Sequence, residues 1–169
     1  MQLDFLRSVA FLHELNDVEL AAFHERLMVR LILPGKKIIQ EGESVEALYI
    51  VVNGSVEVRR KSGANEVLLG KISAGSFFGE INLFDPGAAT ASVYSKENVS
   101  LASISYANLR TYFRDYPNAG VKIISAMMTE ACRRLRTTND RLAHSVLWWN
   151  SGTPFVMPKA LPNGEPGAA

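Results

Sequence analysis

The chain has 169 residues, 47% of them apolar, with 18 Lys+Arg against 17 Asp+Glu for a formal charge of +1. That is enough length for one ordinary domain with a buried core, and the balanced charge argues against a dedicated nucleic-acid binder, whose affinity rests on a basic excess that neutralises phosphates. No apolar run approaches the roughly 18 residues of a membrane span. The N-terminus carries Asp4 and lacks a basic-then-apolar leader, the single Cys132 allows no intramolecular disulfide, and His13, His24 and His144 have no metal-ligand spacing. A cytoplasmic protein without a metal site is expected.

Residues 1–33 contain neither glycine nor proline. Asn16 followed by Glu19 reads as a capping box, and Leu20, Phe23 and Leu27 recur at helical spacing, so a short amphipathic helix is predicted over about 17–27. Residues 34–104 hold eight of the twelve glycines. Between them lie short β-prone runs at 47–52, 55–58 and 66–69, a spacing that predicts a compact barrel or jelly roll. Asn53-Gly54 between two such runs predicts a hairpin. Helix returns over 105–149, with Pro117 as a boundary. The order helix, strands, long helix is an α+β layout. Four of the seven prolines (Pro154, Pro158, Pro162, Pro166) recur every four residues in the last twenty, which predicts an extended tail over 150–169.

From Val121, residues step by three then four through Ile124, Met128, Ala131, Leu135, Thr138, Leu142, Ser145 and Trp149, an a/d register over four heptads. Ile123 and Met127 form a second stripe on an adjoining face. The first half of this helix is expected to cover the β-structure. The second half is expected to pair with the same helix of another chain through the seam Met128, Ala131, Leu135, Thr138, Leu142, Ser145 and Trp149.

The chemistry is concentrated between Gly75 and Val93. A glycine, Gly79, follows Phe77-Phe78 and opens a short helical turn, and a β-branched strand resumes at Thr90. Free backbone N–H groups at such a turn suit an anion, and Glu80 suits a sugar hydroxyl. This segment resembles the phosphate-binding cassette of the cyclic-nucleotide-binding domain family, found in catabolite-activator-type regulators, protein kinase A regulatory subunits and gated channels. Further resemblance lies in Leu33–Glu43, similar to the family's opening hairpin, in Leu48–Val58, similar to its next two strands, and in Arg133-Arg134-Leu135 with Thr137-Thr138-Asn139, similar to the C-helix of the bacterial activators. It covers about residues 5–147.

The resemblance implies an eight-stranded β-roll of jelly-roll, cupin-like type (about 28–104). With it come an N-terminal helix, a short cassette helix and a long C-terminal dimerisation helix (about 118–149), in a domain spanning 1–149. It places candidate ligand contacts at Phe78, Gly79, Glu80, Ile81 and Asn82 in the cassette. It places others at Ala89, Thr90 and Ala91 on the following strand, and at Thr138 and Asn139 on the C-helix. One departure stands out. The family's Arg-(Ser/Thr)-Ala reads Ala89-Thr90-Ala91 here, so the arginine that pairs with the cyclic phosphate is missing. Lys71, Arg59 and Arg60 are the candidate replacements.

The expectation is therefore a non-enzymatic, homodimeric regulatory module with a degenerate cassette that signals through a protein partner. The alternative is a true sensor of cyclic AMP, cyclic GMP or another nucleotide through Gly79, Glu80 and the C-helix. A metal cupin lacks clustered ligands, and the short stretch after the C-helix argues against a helix-turn-helix and direct DNA binding.

Overall fold

The computed structural model describes the backbone of residues 3–151 and the side chains of residues 3–145. The predicted tail and Trp149 of the seam lie outside the described side chains. Two units divide at residue 130.

The first unit opens with helices α1 (Leu3–Arg7) and α2 (Asp17–His24). The capping box at the start of α2 forms as read: the Asn16 side chain accepts from the Glu19 N–H, and the Glu19 carboxylate accepts from the Asn16 N–H, each at 2.9 Å. Eight strands follow: β1 (Met28–Ile32), β2 (Lys37–Ile39), β3 (Ala47–Asn53), β4 (Ser55–Ser62), β5 (Asn65–Ser73), β6 (Phe77–Phe78), β7 (Ser92–Ser95) and β8 (Val99–Ser105). Helix α3 (Ile81–Phe84) interrupts them between β6 and β7. Helices α4 (Tyr106–Asp115) and α5 (Pro117–Ser151) are the last elements of the described residues. The strands form two four-stranded sheets, β1-β8-β3-β6 and β2-β7-β4-β5, and every ladder is antiparallel. This is the expected β-roll.

Two hairpin readings are corrected. β3 and β4 belong to different sheets, so Asn53-Gly54 is a crossover. Gly54 has φ +80°, and a Cβ there would stand 2.7 Å from the Asn98 carbonyl oxygen; glycine serves a close approach as well as a turn. β1 and β2 likewise enter different sheets, so Leu33–Glu43 is a sheet-to-sheet passage. The long hairpin is β4–β5, turned at Gly63 with φ +61°.

Strand alternation builds two cores. Leu48, Ile50, Ala102 and Ile104 join the helices, where Phe23 meets Phe11 and Tyr112 edge-on at ring distances of 6.2 and 5.3 Å. Val51, Leu101, Phe78, Val56 and Val93 fill the space between the sheets. The first part of α5 brings Ala119, Ile123 and Met127 into the helical core, the second stripe of the sequence pattern.

The same helix is tied to α2 by a polar contact. The buried Glu19 carboxylate accepts from Lys122 Nζ at 2.8 Å, and the Tyr112 hydroxyl donates to the Glu19 carbonyl at 2.9 Å. The Lys122 hydrogen bond holds the Glu19 carboxyl below its ordinary 4.5, against burial, which pushes it up. A depressed carboxyl stabilises the fold above its ordinary value, and that contribution is lost as pH falls through the lower folded value. The urea midpoint is therefore expected to fall on acidification below about pH 4.5. In Lys122→Met this acid dependence should flatten, as measured by urea unfolding between neutral and acid pH.

Candidate functional site

The cassette begins where β6 ends. Phe78 pairs with Tyr49 on β3, their rings stacked at 5.0 Å and 9°, which anchors the strand from the inside of the roll. Gly79 then turns with φ +87°. A Cβ there would lie 2.7 Å from the Ala47 carbonyl oxygen, so only glycine lets the chain pass this close to β3. The Tyr106 hydroxyl donates to the Gly79 carbonyl. Burial pushes that hydroxyl up to about 12, with Tyr49 and then Glu80 adding to the effect and Arg110 opposing it. Glu80 is thus close enough to Tyr106 to act on it electrostatically, and it is half-buried.

Beyond Glu80 the chain makes the single turn α3. Asn82 is buried, and its Nδ2 donates to the Gly87 carbonyl at 2.6 Å, pinning the Asp85–Gly87 loop back onto the helix. Ile81 and Phe84 stand about half exposed, at 49% and 48%.

Ala89, at the arginine position, is buried at 6% exposure. Its N–H donates to the Glu43 carbonyl at 2.8 Å, and its carbonyl accepts from the Gly42 N–H at 2.9 Å. Thr90 is exposed and Ala91 half-buried. Three candidate cations separate cleanly. Arg59 is bound to Glu57 at 2.6 Å and lies 5.6 Å from the Tyr94 ring centre. Lys71 stands opposite Glu57 in the ladder and is exposed, on the same outer face. Arg60 is exposed, its side chain 63% accessible. Its Nε is 3.9 Å from Glu41 Oε1.

Thr138 and Asn139 lie on α5 in the second unit, which starts at Glu130, and both are exposed. The Thr138 hydroxyl donates to the Arg134 carbonyl at 2.9 Å. Within that unit Glu130 binds Arg133 and Arg134 at 2.7 and 2.8 Å. No cluster of three metal-ligating side chains occurs among the described residues.

A family model described as the cyclic nucleotide-binding domain matches residues 29–116. The chain belongs to the cyclic-nucleotide-binding domain family. This domain is similar to the CRP-like cAMP-activated global transcriptional regulator of Mycobacterium tuberculosis, 34% identical over 110 residues, covering 64% of this chain and 47% of that protein. The chain thus spans about half the length of that relative. Among solved structures it resembles the catabolite activator protein of Thermus thermophilus at 27% identity and a TM-score of 0.71, covering 81% of this chain and 63% of that one. It also resembles the regulatory subunit of a cAMP-independent protein kinase A from Trypanosoma brucei, at 25% identity and a TM-score of 0.70, covering 83% and 50%. No described helix is long and apolar enough to cross a membrane.

Tyr106 and Tyr49 were not legible as parts of the site. Tyr106 reaches Gly79 from 27 residues downstream, at the first position of α4, and no short motif links the two. The stacked Tyr49–Phe78 pair follows only from strand pairing across sequence.

Proposed function

We propose that this cyclic-nucleotide-binding-family domain is a non-enzymatic regulatory module whose cassette keeps the family's backbone shape but has lost the cation for a cyclic phosphate. It works as a homodimer through α5 and passes its signal to a protein partner. One observation carries the reading: the arginine position holds Ala89, buried and engaged through its backbone with Gly42 and Glu43. A charge-assisted hydrogen bond contributes roughly 1.5–3 kcal/mol, so its loss weakens a cyclic nucleotide by about ten- to a hundredfold. The likeness to a regulatory subunit described as cAMP-independent is in keeping with a cassette that serves other purposes. Calorimetric titration with cyclic AMP is expected to detect no micromolar binding.

Arg60 supports a second reading, the sensor. Its exposed guanidinium has one ion-pair partner among the described residues, Glu41 at 3.9 Å. If it supplies the phosphate contact, the same titration gives binding that Arg60→Gln removes.

The dimer rests on the exposed seam. Met128, Leu135 and Leu142 are 56%, 61% and 62% exposed, and Ala131, Thr138 and Ser145 are exposed with them. Apolar residues at a and d positions gain most by pairing with a second helix. Sedimentation at micromolar concentration is expected to give a dimer, and Leu135→Glu with Leu142→Glu a monomer. A monomeric wild type sinks this part of the proposal.

A further inference from the structure

A concavity of the first unit lies where β1 passes into β2, its wall shared with the cassette's neighbours Ala47 and Tyr49. It is an open groove of about 690 Å³, within the range of roughly 300–1,000 Å³ typical of small-molecule sites. No residue of the 79–91 segment lines it, and neither does any Asp or Glu. Four basic residues do: Arg26, Arg30, Lys36 and Lys37.

Two of these cations are already engaged. Arg26 binds Asp115 at 3.1 Å and donates to the Ala22 carbonyl, and Lys37 donates to Gln40 at 3.0 Å while lying 5.2 Å from the Tyr94 ring centre. The other two have no charged partner among the described residues: Arg30 donates to the Met28 sulfur at 3.1 Å, and the Lys36 ammonium has no hydrogen bond or ion pair there. Tyr49 also lines the groove, and burial pushes its hydroxyl up, with the charge of Arg30 acting the other way. Beside these polar groups Met28, Leu31 and Leu33 stand 54%, 65% and 56% exposed. An exposed apolar cluster around unmatched cations fits a ligand with both characters.

We infer that this groove is a ligand site whose contacts lie outside the 79–91 segment, taking a small amphipathic anion: a carboxylate or phosphate head on an apolar body. The planar guanidinium of Arg30 takes the oxyanion as a fork, Lys36 adds a second charge, and the apolar body lies along Met28, Leu31 and Leu33.

Fluorescence titration of the whole chain with 8-anilino-1-naphthalenesulfonate, an aromatic sulfonate, tests this. Saturation at one probe per chain is expected, weakening with added salt. Decanoate or decyl phosphate should displace the probe, and the stronger of the two identifies the head group; decanol should not. In Arg30→Gln/Lys36→Gln the probe should bind at least tenfold more weakly, while Glu80→Ala titrates like the wild type. Unchanged affinity in the double variant, displacement by decanol as strong as by decanoate, or salt-independent binding overturns the inference. Loss of the probe in Glu80→Ala assigns it to the cassette and overturns the inference too. The decanol and salt comparisons use wild-type protein and do not depend on a variant folding.

Discussion

Gly79→Ala is expected to cost about 3–4 kcal/mol of stability, lowering the unfolding midpoint by roughly 10 °C. Two effects add. The residue sits at φ +87°, where a side chain is strained, and its Cβ would meet the Ala47 carbonyl oxygen at 2.7 Å. That oxygen belongs to the backbone of β3, a strand held on both sides by β6 and β8, so it has little room to yield. Gly35→Ala is the control. Gly35 has φ +75° with nothing within 4 Å of its would-be Cβ, so it isolates the backbone term at about 1 kcal/mol. If both variants lose the same amount in thermal unfolding, the close approach at Gly79 is not what demands glycine. The comparison matters for function as well. A loss of ligand binding in Gly79→Ala cannot be assigned to a missing contact until its loss of fold is accounted for.

Phe23→Ala is expected to cost about 3–5 kcal/mol, through the lost transfer energy of the ring and the cavity left behind. Phe23 is fully buried on α2 and meets Phe11 and Tyr112 edge-on; Phe11 in turn meets Phe77 of β6 at 4.8 Å. Its removal therefore loosens the stack that joins the N-terminal segment, α4 and the strand leading into the cassette. Val18→Ala on the same helix, at 68% exposure, should stay within about 0.5 kcal/mol of wild type. Urea unfolding of the two variants separates them. A small effect at Phe23 contradicts the packing described here.

These positions also mark how far sequence alone reaches. The Asn16–Glu19 box was legible because both hydrogen bonds are local, three residues apart. The two stripes of α5 were legible because helical periodicity sorts Ile123 and Met127 from Met128 and Leu135 without reference to a partner. Asn53-Gly54 misled because a positive-φ glycine serves a hairpin and a sheet-to-sheet crossover equally, and only the ladder tells them apart. The buried run Leu6, Val9, Phe11, Leu12 and Leu15 follows no single period, since it crosses α1 and the turns after it. In the cassette, Gly79 and Glu80 could be read from the motif. The Tyr106 hydroxyl and the Asn82–Gly87 bond depend on register and loop closure, which no short window contains.

In the function proposed above, one residue, Ala89, separates this cassette from one that holds a cyclic phosphate. Calorimetric titration of cyclic AMP into wild type and Ala89→Arg, with Ala89→Met as a control for side-chain bulk, tests it most directly. Weak or absent binding is expected in wild type, no gain in Ala89→Met, and a gain of at least about tenfold in Ala89→Arg. Tight binding by wild type, abolished in Arg60→Gln and not improved by Ala89→Arg, contradicts it and makes this domain a nucleotide sensor with its phosphate partner on β4.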